Sequence, residues 1–97
     1  MNTVIGNVTF ETGARNNWHT HPGGQILIAT DGIGCYQEKG KLIQTLHKGD
    51  VVKIAPGIVH WHGASANGAF THIAVNPNIQ SGIVDWLQRV TDEEYNG

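Results

Sequence analysis

Ninety-seven residues, 14% of them charged and with a formal net charge of −2, describe a single small domain, 1–97. The basic side chains Arg15, Lys39, Lys41, Lys48, Lys53 and Arg89 are scattered, which excludes the electrostatic footprint of a protein that binds nucleic acid or an anionic membrane. One cysteine excludes an intrachain disulfide, and no run approaches the roughly 20 apolar residues of a membrane span.

Residues 1–6 lack the basic-then-apolar pattern of a signal peptide, and with the lone Cys35 this makes a cytoplasmic protein the expectation. Residues 8–11 then read as a strand. Residues 25–30, rich in Ile and Leu, read as another. Residues 33–38 and 42–46 form a hairpin across Lys39-Gly40-Lys41. Residues 50–55 run into the turn Pro56-Gly57, and residues 59–62 and 70–76 complete the strands. Short strands at this spacing predict an all-β sandwich or barrel. Ile83, Trp86, Leu87 and Val90 fall at i, i+3, i+4 and i+7, which predicts an amphipathic helix with Ser81 as N-cap and Trp86 anchoring it to the barrel. Thr91 and Glu94 read as a capping box opening one more turn.

The chemistry lies in the histidines. His19 and His21 are two apart, as are His60 and His62, and residues i and i+2 of a strand share a face. His19 and His21 can therefore aim at one point, Gln25 at the start of the next strand can reach it, and His60 could close the set. Three imidazoles and an amide oxygen form a borderline-hard site for a divalent ion. The alternative is that these are surface or packed polar-core histidines. Two pairs, each beside a tryptophan (Trp18, Trp61) and each followed closely by glycine, favour the metal. Neutral imidazoles are required, so release is expected below about pH 6.

Alternation places His72, Ala74 and Asn76 on one face of the last strand. His72 is either a pocket base or a hydrogen-bonded interior histidine. His62 is either a pocket contact or a buried, satisfied side chain. Val8 and Phe10 share a face and are either pocket wall or ordinary core. Cys35 reads as an inert strand thiol and His47 as an exposed turn residue. Gln25, Leu27 and Ala29 should face the cavity. Ile26 and Ile28 then point outward and call for cover, so a homodimer is expected.

Two motifs carry a family resemblance. Gly13, five residues, His19-x-His21, three residues, Gln25, six residues, Gly32 is similar to the first cupin motif, with Gln where Glu is usual. Gly49-Asp50, then Ala55-Pro56-Gly57, two residues, His60 resembles the second, with Ala55 in a usual Pro position and Ala64 where Asn is common. His19-Thr20-His21-Pro22-x-Gly24-Gln25, Gly49-Asp50-Val51-Val52, His60-Trp61-His62-Gly63-Ala64 and Val84-Asp85-Trp86-Leu87 resemble a subgroup of small bacterial cupins linked by name to carboxymuconolactone decarboxylase. That subgroup includes manganese-dependent hydroxynitrile lyases and carries the same Gln.

The resemblance implies a conserved β-barrel (a double-stranded β-helix) with a short C-terminal helix. It implies one divalent metal on His19, His21, Gln25 and His60, with manganese first and zinc, iron or nickel as alternatives. His72 would move a proton, and the residues that alternation offers beside it as pocket lining for a small-molecule substrate are Val8, Phe10, His62 and Asn76. A hydroxynitrile lyase is the sharpest functional version. A metal-dependent oxidase or dioxygenase, and a non-catalytic binder of a small ligand or metal, stand beside it.

Overall fold

A computed structural model describes residues 2–97. The strands are β1 (Val4–Phe10), β2 (His19–Thr20), β3 (Gln25–Glu38), β4 (Gln44–His47), β5 (Val51–Ile54), β6 (His60–Ala64), β7 (Phe70–Asn76) and β8 (Asp85–Trp86), followed by a short helix α1 (Asp92–Tyr95). They form one sheet in the order β1-β7-β3-β6-β2-β8, with β4 and β5 also paired to β3. Every pairing is antiparallel. The sheet curls into a half-barrel, the all-β double-stranded β-helix class expected from the sequence.

The two strands expected over 25–30 and 33–38 are one continuous β3, with an irregularity between Ala29 and Asp31. Its first half pairs with β5 and β7 and its second half with β4 and β6, so β3 joins both halves of the sheet. Gln25, Leu27 and Ala29 are buried while Ile26 and Ile28 are only half-buried, as the alternation requires. Leu27, Ala29, Tyr36, Leu46, Ile54, Ala64, Phe70 and Ala74 make the main core. β6 is buried on both faces: His60, His62 and Ala64 alternate with Trp61, which packs with Trp18 and Val90 in a second core. Cys35 is half-buried, and burial pushes its thiol up, which suits an inert side chain.

The helix expected over residues 83–90 does not form. Residues 79–81 make a 3-10 turn that includes Ser81, which therefore caps nothing. The chain then runs extended beside β2, pairing Thr20 with Asp85 and His19 with Trp86. Beyond β8 the pairing continues, with Leu87 N–H donating to the Trp18 carbonyl (2.8 Å) and Trp18 N–H to the Gln88 carbonyl (2.9 Å). The physical reason is the open edge of β2. Eight residues are too few for a stable isolated helix, whereas pairing satisfies backbone groups on both chains. Of the predicted stripe only Val90 is core; Trp86 anchors no helix and is exposed.

The capping box does form. Thr91 Oγ1 accepts from Glu94 N–H (3.1 Å), and Glu94 Oε1 accepts from Thr91 N–H (2.9 Å). Arg15 clamps this end to the sheet through the Val90 carbonyl and Asp92, and lies over the Tyr95 ring. Among the described residues no helix is long and apolar enough to cross a membrane.

Candidate metal centre

One turn builds half of the site. Gly24, at φ 83°, lets the chain reverse between His21 and Gln25, and a Cβ there would lie 2.9 Å from the Ile54 carbonyl oxygen. The His21 carbonyl accepts from the N–H groups of Gly24 (3.0 Å) and Gly57 (3.2 Å), which pins the histidine's backbone. β2 sets His19 directly opposite His60 on β6. The ring centroids of His19 and His60 are 4.2 Å apart, those of His19 and His21 5.0 Å, and those of His21 and His60 5.4 Å.

These three imidazoles share a device. Each donates its Nδ1–H to a backbone carbonyl: His19 to Asn17 (2.7 Å), His21 to Ile83 (2.6 Å) and His60 to Ile58 (2.9 Å). A neutral imidazole so fixed presents a bare lone pair at Nε2, the arrangement found behind metal-ligating histidines. Gln25 is fixed likewise. Its Nε2 donates to Asn76 Oδ1 (3.1 Å), which turns Oε1 to within 3.2 Å of His60 Nε2. Two acceptors thus face each other. His21 Nε2 is buried with no hydrogen-bond partner among the described residues. A cation among these atoms resolves both anomalies.

His62 is held differently. Asn16 Oδ1 accepts from its backbone N–H (3.0 Å), and Asn16 Nδ2 lies 3.3 Å from its Nε2. One ligand atom each of His19, His60 and His62 falls within 4.8 Å of the others, so this trio could also hold a metal ion. His72 stands behind it, its ring 4.8 Å from His62 and between Phe10 (5.8 Å) and Phe70 (5.6 Å). Both nitrogens of His72 are buried without a partner among the described residues.

A cavity of about 330 Å³ collects these groups. Val8, Phe10, His19, His21, Gln25, His62, His72 and Asn76 all line it; His60 does not, and meets it through its 3.2 Å contact with Gln25. Asn76 is therefore more than wall, since it orients Gln25. The sequence reading missed Asn16, Ile83, Val84 and Trp86, which also line the cavity. Asn16 carried a usable signal, lying three residues before His19; Ile83 and Trp86 were hidden by their helical spacing, and Val84 by lying in the same expected helix.

The cupin-domain family pattern matches residues 6–76. This chain belongs to the cupin family. The (R)-mandelonitrile lyase of Granulicella tundricola is 51% identical to this cupin over 88 residues, which are 91% of this chain and 67% of that one. A cupin-like protein of Thermotoga maritima superposes with a TM-score of 0.96 at 53% identity, covering 98% of this cupin and 71% of its own chain. A DMSP lyase of Ruegeria pomeroyi shares the fold, with a TM-score of 0.78 at 18% identity over 88% of this chain and 43% of its own.

Electrostatics in the cupin cavity favour neutral imidazoles. Burial, reinforced by His60, drives His19 down to about 3 against its carbonyl hydrogen bond. Burial likewise drives His60 down to about 4. Burial lowers His21 and takes His62 well below the usual histidine range. It lowers His72 as well, and an opposing contact with the Ile73 backbone falls short of hydrogen-bond geometry. Protons would therefore compete for a metal ion held there only below the pH of about 6 expected from unperturbed imidazoles.

The same shifts set the acid stability of the metal-free protein. The unfolded chain takes up protons near pH 6.5, while the folded chain resists them to about 4 at His60 and 3 at His19. Stability present above about pH 6.5 is therefore lost as pH falls towards those values, by at most about 1.4 kcal/mol per pH unit for each such histidine. Thermal melts of metal-free protein should shift steeply downward between about pH 6.5 and 4; a flat profile there would contradict buried neutral imidazoles.

Proposed function

We propose that this cupin is a metal-dependent lyase that cleaves a small molecule at a carbon bearing a hydroxyl, a cyanohydrin being the sharpest case. One observation carries the reading: the bare acceptors of His60 and Gln25 face each other at 3.2 Å beside the unpartnered Nε2 of His21. The proposed ligands are His19, His21, Gln25 and His60, a neutral, borderline-hard set suited to manganese, with zinc, iron or nickel as alternatives. A divalent ion bound there would supply Lewis acidity towards a substrate oxygen.

The chain's own part is proton movement and positioning. His72, with both nitrogens bare of partners, accepts the cyanohydrin hydroxyl proton. The carbon–cyanide bond breaks with its electron pair on cyanide, the carbonyl forms, and the proton passes from His72 to cyanide, giving an aldehyde and hydrogen cyanide. Val8 and Phe10 form apolar wall, and His62, gripped by Asn16, braces His72. The 51% identity to a mandelonitrile lyase supports this version. Elemental analysis should find a divalent metal, and the loaded protein should release benzaldehyde from mandelonitrile. A loaded but inert sample would remove the cyanohydrin version.

A homodimer belongs to the same proposal. Ile5, Val75, Ile26, Ile73, Ile28 and Val51 adjoin one another across β1, β7, β3 and β5. Ile5 and Val51 in that row are exposed. Such a continuous apolar face favours cover by a second copy. Sedimentation at tens of micromolar should show a dimer; a monomer alone would sink this part.

A further inference from the structure

Three tryptophans divide sharply. Trp18 and Trp61 are 3% and 0% exposed and fill the second core, whereas Trp86 is 58% exposed. An exposed indole on a pinned backbone calls for an explanation. Its strand β8 is held against His19, and the following hydrogen bonds between Leu87, Gln88 and Trp18 lock the segment. The ring leans over the His19 imidazole at 4.9 Å and 48°, at the wall of the cavity.

The placement is specific. β1 and β8 are the two ends of the hydrogen-bonded order, and curling brings Phe10 from one and Trp86 from the other to the same cavity. Val8, Ala74, Ile83 and Val84 extend the apolar lining. The bare polar atoms of His21 and His72 and the amide of Gln25 make the other part. Such a cavity matches a molecule with one oxygen-bearing end and one flat apolar end.

We infer that Trp86 is a specificity-determining residue whose indole packs against the flat apolar substituent of the substrate, so that the pocket prefers aryl-bearing over small aliphatic molecules. The inference rests on the proposed reading of the pocket as a metal-dependent site for a small oxygen-bearing molecule.

Benzoate and acetate, which share an oxygen end and differ in the ring, are suitable probes for the manganese-loaded protein. Trp86 is the exposed tryptophan, so it alone should be readily quenched by acrylamide. Benzoate should protect it and acetate should not. Trp86→Ala should weaken benzoate binding about tenfold while acetate affinity stays within about twofold. Metal content should be unchanged, because the indole is not among the proposed ligands and the Asn17 carbonyl holds the His19 ring. Should the alanine variant lose its circular dichroism, Trp86→Phe and Trp86→Leu decide: the former should keep the benzoate preference and the latter lose it. An undiminished preference in Trp86→Ala or Trp86→Leu overturns the inference alone. So does a Trp86 already shielded from acrylamide before any ligand is added, since a second copy would then cover it. Failure of the loaded wild-type protein to bind either anion overturns both the inference and the reading of the site beneath it.

Discussion

Replacing His72 with Ala should lower mandelonitrile turnover by about 10²–10⁴-fold, the contribution typical of a positioned general base, with metal content unchanged. The two effects separate because His72 lies on β7, whereas the carbonyl-anchored imidazoles lie on β2, on β6 and in the turn after β2. A stability measurement distinguishes this role from a packing one. The His72 ring is 0% exposed, lies between Phe10 and Phe70, and buries two nitrogens without partners. Burying such atoms costs free energy that an apolar ring of similar size would not incur. His72→Phe should therefore melt at or above the wild-type temperature and still be inactive. A His72→Phe protein that melts well below wild type would mean that His72 has a structural partner. Full activity in either variant would end the proton-transfer role.

The second large effect concerns which histidines hold the metal. Proximity alone groups His19, His60 and His62. Hydrogen bonding groups His19, His21 and His60, each with Nδ1–H spent on a carbonyl and Nε2 bare. His62 has no such carbonyl; the Asn16 amide lies against its Nε2 lone pair instead. His21→Ala should therefore weaken metal binding by about 100-fold or more, above the usual effect of losing an outer-shell partner. His62→Ala should leave metal content near that of the wild type, although it loosens the brace behind His72. Elemental analysis of the two purified variants side by side decides the matter. Metal loss from His62→Ala with retention in His21→Ala would reverse the assignment.

The extended course of residues 83–90 along β2 bears on both predictions. That segment carries Ile83, whose carbonyl fixes His21, and Trp86, which leans on His19. Read as a helix, it would have stood apart from the site. As a strap on the edge of β2 it reaches two of the four proposed ligands. Its apolar spacing is genuine, but the residues serve different surroundings: Val90 enters the second core, while Ile83 and Trp86 line the cavity. Helical periodicity and a strap that borders a pocket cannot be told apart over eight residues, because both place apolar side chains at intervals of three and four.

What was legible locally held. Strand alternation buried Gln25, Leu27 and Ala29 together, and it turned His60 and His62 inward against Trp61. The capping box at Thr91 formed, because its partners lie three residues apart. Pairing within a strand or a turn depends on backbone geometry that neighbouring residues already impose, and the sequence alone determined it. The carbonyls that anchor His19 and His60, those of Asn17 and Ile58, are equally local, two residues away, but the rest of the site is not. His21 takes its tautomer from a carbonyl 62 residues away, and Gln25 takes its orientation from Asn76, 51 residues away. The first bond exists only once the segment leading into β8 lies along β2, and the second only once β3 has paired with β7. The tertiary structure alone therefore decided which lone pairs point at a common centre, and which tryptophan stands at its edge.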